Sequence, residues 1–234
     1  MQFVATLLNQ LAYVEAASLA GWLVWFGFAG LFAVSLYNWR NYHRKLNQRA
    51  WWILFTLAVF TPIVTLFIGL EFQNGAALPA PGIPAQAPGS TAMLFSALPW
   101  TLAGGLLGPY AGAAVGIFSG LLRGVWDTHS IFSILEFGFL GAIFAVSTRQ
   151  NYRTPFFRLL RQPLFSVVML SLIHALIFIV SAFFTASATA TAAERLDYAF
   201  SNTGTAILTF GIEMLIAGFA AQILTTVSPH LWGN

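Results

Sequence analysis

Residues 108–127 read "GPYAGAAVGIFSGLLRGVWD", with a glycine at every fourth position: Gly108, Gly112, Gly116, Gly120 and Gly124. A glycine inside a helix costs about 1 kcal/mol relative to alanine. Five at one spacing point to a helix that gives up propensity so that a second backbone can approach. Residues four apart differ by about 40° of rotation, so the row drifts over about 160° of the surface and forms an oblique groove. In lipid, apolar side chains gain little by leaving their solvent. Close packing of small residues then drives helix association, with a right-handed crossing.

Composition supplies the lipid. Of the 234 residues 58% are hydrophobic and 7% charged, against about 25% charged in a soluble domain. The mean hydropathy is +0.77, and several apolar runs approach the roughly 20 residues that cross a bilayer. The net charge of +3 does not indicate a nucleic-acid surface, because eight of the ten basic residues sit in two short segments and not on one face of a folded domain. With no cysteine, disulfides, thiolate metal sites and thiol nucleophiles are excluded. The first residues lack the basic start and small-residue cleavage site of a signal peptide, so the first helix is expected to be retained.

The expected fold is an all-α integral membrane bundle, one domain over 1–234, with seven spans at 18–38, 50–71, 92–107, 109–126, 130–148, 164–184 and 203–227. Residues 1–16 suit an interfacial helix or a tilted extension of the first span. The third and fourth spans are short and joined at Gly108-Pro109, as a tight hairpin or as partly re-entrant segments. Pro62 and Pro99 fall inside spans, where membrane helices tolerate kinks. The segment 72–91 carries four prolines and reads as an outer loop, as does 185–202, with one helical turn allowed around "AAERLDYAF". Residues 228–234 form a tail.

Orientation follows from the basic residues. "NWRNYHRKLNQRA" (38–50) holds Arg40, Arg44, Lys45 and Arg49, and "TRQNYRTPFFRLLRQP" (148–163) holds Arg149, Arg153, Arg158 and Arg161. The other side has only Arg123 and Arg195. The positive-inside rule makes the two basic loops cytoplasmic. An odd number of spans then places the N-terminus outside and the C-terminus inside a cytoplasmic (inner) membrane. Trp39, Trp51, Trp52 and Trp126 fall at expected interfaces.

Ionisable groups inside spans are costly and face a cavity or a partner. Relative to Gly120, Arg123 and Asp127 lie within about 60° and 20° of the packed face. The two are four apart and can bond each other; the alternative is an Arg123 that snorkels to the outer headgroups. His129, Ser133 and Glu136 share one face of the fifth span if that helix is continuous. His174 lies mid-way along the sixth, with Ser171 a turn earlier, and Thr205, Thr209 and Glu213 form a polar stripe on the seventh. Each of Glu136, His174 and Glu213 alone suits a structural hydrogen bond, or a carboxyl kept protonated by burial. Together with Arg123, Asp127 and His129 they are candidate ligand-binding residues in an outer-half cavity. Spacing leaves open whether Glu213 meets His174. The lone lysine, Lys45, excludes a Schiff base in the seventh span. No P-loop, nucleophile elbow or HExxH motif occurs, so neither catalysis nor a cofactor or metal is expected.

Residues 92–146 contain Gly105-Leu106-Leu107-Gly108-Pro109 and a glycine-spaced helix ending in Arg123. This pattern resembles the membrane sensor module of Lyt-type bacterial histidine kinases and of signalling proteins with cytoplasmic GAF and kinase domains. It is also similar to the S components of energy-coupling-factor transporters. The resemblance implies a receptor for a small ligand from the outer side, coupled to a cytoplasmic signalling domain or partner, possible as a homodimer. The Lyt-type module has five or six spans against seven here, and a sensor kinase continues where this sequence stops at "SPHLWGN". An isolated sensor domain, or one with a separate partner, is expected. A transporter component and a non-catalytic assembly subunit are the alternatives.

Overall fold

A computed structural model of the chain describes residues 18–42, 46–71, 91–186 and 190–232. The interfacial helix expected over 1–16, Lys45, and residues 72–90 of the proline-rich segment lie outside the described residues. The elements run α1 (Leu19–Asn38), a 3-10 turn (Trp39–Tyr42), α2 (Gln48–Leu66), β1 (Gly69–Glu71), β2 (Thr91–Met93), α3 (Leu98–Leu107), α4 (Pro109–Trp126), α5 (Phe132–Arg149), α6 (Pro155–Leu160), α7 (Pro163–Thr185), α8 (Ala192–Val227) and a 3-10 turn (Pro229–Leu231). The chain is a helical membrane bundle.

Five helices are long and apolar enough to cross a membrane: α1 with its following turn, α2, α5, α7 and α8. The expected count of seven is not reached by this measure. Helix α3 has only 10 residues. Helix α4 has 18 residues, but four glycines and Arg123 dilute its apolarity.

The sequence expectation is corrected at several element ends. Helix α2 stops at Leu66, and Gly69–Glu71 pairs antiparallel with Thr91–Met93, so the bundle is not purely helical. The third span does not begin at 92. Met93 and Ser96 are turned to bond Glu213, and α3 starts only at Leu98 with Pro99 in its first turn, where a missing N–H costs nothing. The seventh span begins eleven residues earlier than expected. Thr191 and Glu194 form a capping box that starts α8 at Ala192; such reciprocal bonding satisfies two orphan donors at once. The basic segment 148–163 contains the short helix α6.

The glycine row does bring two backbones together, and the partner is α5. A Cβ at Gly112 would lie 2.6 Å from the Gly141 carbonyl oxygen. At Gly116 it would overlap the Phe137 carbonyl, and at Gly120 that of Ser133. As the glycine number rises by four the α5 number falls by four, which is the register of antiparallel helices. Gly141 returns the contact, because its own Cβ would overlap the Gly112 carbonyl. Gly108, at φ 107°, makes the α3–α4 turn in a backbone region closed to most side chains. It sits against the Arg149 guanidinium and the Tyr42 carbonyl.

Around this hairpin, α2 packs on α3 and α4, and α1 lies across α5. Phe32 inserts between Ala113, Leu135 and Ala142, and the Trp25 indole N–H donates to the Ile131 carbonyl at 3.1 Å. The outward faces of α1 and α2 carry Leu23, Phe26, Leu31, Phe55 and Val59, a surface suited to acyl chains. On the other side α7 and α8 form a second hairpin. Below the polar groups of that hairpin the bundle is dry: Trp100, Phe137, Leu140, Phe144, Leu170, Phe210 and Met214 make one buried cluster. At its end nearest the α3–α4 turn the Trp232 indole covers Gly105, where any Cβ would overlap the ring, and meets Phe144 edge-on at 6.2 Å.

Candidate functional site

The six candidate residues divide into two buried groups and one outlier. In the first group, Arg123 of α4 donates from Nε and Nη2 to Asp127 Oδ2 at 2.8 and 2.5 Å. It donates from Nη1 to Glu213 Oε2 of α8 at 2.6 Å. Glu213 also accepts from the Met93 N–H and the Ser96 hydroxyl, both at 2.7 Å. Arg123 is 3% exposed and Glu213 0%, so the inward alternative holds and the snorkelling one does not. A buried ion pair is tolerated when additional hydrogen bonds satisfy its remaining atoms, and here β2 and the turn after it supply them. This cluster clamps α4, α8 and the β-hairpin together. The Arg123 guanidinium also lies over the Phe137 ring, 5.2 Å from its centroid.

In the second group, His174 Nδ1 lies 2.5 Å from Glu136 Oε1, joining α7 to α5. The imidazole stacks on Phe210 of α8 at 3.8 Å between centroids. His174 is the middle residue of the 23-residue α7. The pair sits on the wall of a furrow with about 30 Å³ of space open to a water-sized molecule, enough for about two waters. Its polar wall includes Thr128, Ser130 and Ser133 from the α4–α5 corner and Ser181 and Thr185 from α7, with Arg123 at one side. From Thr185 to His174 the furrow follows one face of α7 for eleven residues, about 16 Å. Beyond Glu136 and His174 it is closed by the apolar cluster under Phe137 and Phe210.

The outlier is His129. Its φ of 48° and a helix start at Phe132 remove it from the face expected to hold Ser133 and Glu136. It does not line the furrow. Helical spacing fails there because the chain is still turning.

The expected single cavity is therefore corrected in detail. Glu213 does not meet His174; it takes Arg123, and Glu136 takes His174. The stripe of Thr205, Thr209 and Glu213 also divides: Thr209 donates to the Thr205 carbonyl at 2.9 Å and lines the furrow, while Glu213 faces the clamp. Sequence reasoning missed Ser96 and the Met93 amide, which no helical pattern could reveal because they precede α3. It also missed Ser181 and Thr185, although Ser171, His174, Ser181 and Thr185 recur along α7 at helical intervals. Among the described residues no group of three or more His, Cys, Asp or Glu could hold a metal ion. No protein-family model, no curated protein and no solved structure matches the chain.

Proposed function

We propose that this chain is a membrane-embedded receptor domain that admits a small polar solute from the outer side and relays its presence through α8 to a cytoplasmic signalling domain or partner. The observation that carries the reading is the polar furrow that ends blind on Glu136 and His174. A conduit would continue through the bundle. This furrow stops at a buried aromatic layer, as a site for holding a solute does. Intramembrane ionisable groups facing a cavity are functional by default.

The orientation proposed with it is N-terminus outside, C-terminus inside the cytoplasmic membrane, with α3 and α4 completing seven crossings. The two basic segments support this. So does the bond from Arg149 Nη2 to the Gly105 carbonyl at 3.0 Å, which draws the α3–α4 turn to the basic side. Helix α8 is the natural relay because it contributes Phe210 under the imidazole and Glu213 to the clamp. A ligand drives such a relay only by binding two arrangements unequally. The reading in which the glycine row receives a helix of another chain lacks support, since α5 already fills it.

The cysteine-free chain makes the test direct. Thr185→Cys and Ser181→Cys should react with an impermeant thiol reagent added outside and be protected by a bound solute. Spin labels at Ala192 and Trp126 should change separation on binding. Equal labelling from the inner side would reject the blind furrow. Passage of the protecting solute across proteoliposomes would replace the receptor by a carrier.

A further inference from the structure

Resting on the receptor reading, the hydrogen-bond directions around the furrow identify the chemical class of its occupant. A hydroxyl has one proton and two lone pairs, so once its proton is given to the protein it faces a ligand only as an acceptor. Ser181 donates to the Phe178 carbonyl at 3.0 Å and Thr185 to the Ser181 carbonyl at 2.8 Å. Thr128 Oγ1 and Ser133 Oγ lie 2.6 Å apart and share one hydrogen bond. Ser130 accepts the Phe132 N–H at 3.3 Å.

The charged groups point the same way. Arg123 is the permanent cation at the furrow, and its Nε, Nη1 and Nη2 all donate to Asp127, Glu213 or Thr91. Two carboxylates, Asp127 and Glu213, therefore share one guanidinium, and the third carboxyl group, Glu136, lies apart from it on His174. Glu136 adds two carboxyl oxygens to this wall, one of them against His174 Nδ1. The remaining wall is aromatic, Phe137, Phe178 and Phe210, and ring faces attract cations. An anion or a pure acceptor finds few donors here: the second Nη1 proton of Arg123 and the hydroxyls of Ser130 and of the Thr128–Ser133 pair.

We infer that the furrow is a site for a small protonated nitrogen, ammonium or a short primary alkylammonium. Such a group brings positive charge and several N–H donors to a wall of oxygens. The furrow, with about 30 Å³ open to a water-sized molecule, admits ammonium or methylammonium.

Calorimetric titration of the full chain in micelles tests this, with ammonium, methylammonium, potassium, formate and formamide as probes. Potassium matches the charge of ammonium without its donors, and formate and formamide represent anions and neutral amides. One saturable ammonium site is expected, with potassium about tenfold weaker or worse, since hydrogen bonds to charged groups are worth that much. Glu136→Gln should weaken ammonium binding by about tenfold or more, and Glu136→Asp should restore part of the affinity. Unfolding scans on both variants separate lost affinity from lost fold. Equal binding of potassium, or Glu136-dependent binding of formate or formamide in preference, would overturn the inference and leave the receptor standing. If no probe binds and no solute protects Thr185→Cys, both fall.

Discussion

The two hairpins at the centre of the bundle are both antiparallel helix pairs, and they are held by opposite means. In α4–α5 the contact is backbone on backbone: Gly112, Gly116 and Gly120 each rest on a carbonyl of α5, leaving no space for a methyl group. In α7–α8 side chains interlock. Phe178 and Ala182 pack on Ala199 and Ala206, and Val167 fills the notch at Gly218. Gly204 and Gly211 of α8 have nothing within reach of a Cβ. Both α4 and α8 contain regularly spaced glycines. What distinguishes them is what faces the row: carbonyls of α5 against Gly112, Gly116 and Gly120, and in α8 a single side chain, Val167, against Gly218.

The contrast can be broken first at the clamp that ties the two hairpins together. Arg123→Met removes the one cation between Asp127 and Glu213 and strands both carboxylates in the interior. A loss of about 3–5 kcal/mol is expected, read as the shift in midpoint of reversible unfolding in mixed micelles. Loss of less than about 1 kcal/mol would mean the carboxylates are not held by this guanidinium.

Gly120→Ala comes next. Its methyl group would meet the Ser133 carbonyl, which cannot rotate away, so a cost of about 1–3 kcal/mol is expected from overpacking. Tolerance of alanine at 112, 116 and 120 together would show that the hairpin is not closed on its backbones. Thr191→Ala should cost about 1 kcal/mol by removing the cap of α8, with faster amide exchange confined to the first turns. That would show that the cap holds the turns of α8 that precede the Ala199 contact with α7. The smallest change is expected for Gly211→Ala, which adds a methyl group in open space and should be neutral or stabilise by up to about 1 kcal/mol. Gly120→Ala and Gly211→Ala measured side by side put the difference between the hairpins on one scale.

Much of this was legible in the sequence for a physical reason. A period of four can be read without knowing what it packs against, so the glycine ridge, the Arg123–Asp127 bond and the inward charges all followed from rotation per residue. The partners did not. Glu213 bonds Arg123 across 90 residues of chain, and spacing within one helix says nothing about which neighbour faces it. The β-hairpin escaped notice because three-residue strands carry no period. His129 was misplaced because a helical count was run through a turn. The capping box at Thr191 was readable, and weighing "TAAE" as a helix start would have placed α8 correctly.

The seat of Trp232 over Gly105 has a mechanical consequence. The indole, caught against a position with no side chain, anchors the Val227 end of α8 through the turn Pro229–Leu231. From there the helix is a long arm. Its far end at Ala192 lies 35 residues from Val227, about 52 Å away, so a tilt of about 5° carries that end roughly 4.5 Å. The long arm converts a small tilt about its Val227 end into a displacement of several ångströms at its capped end.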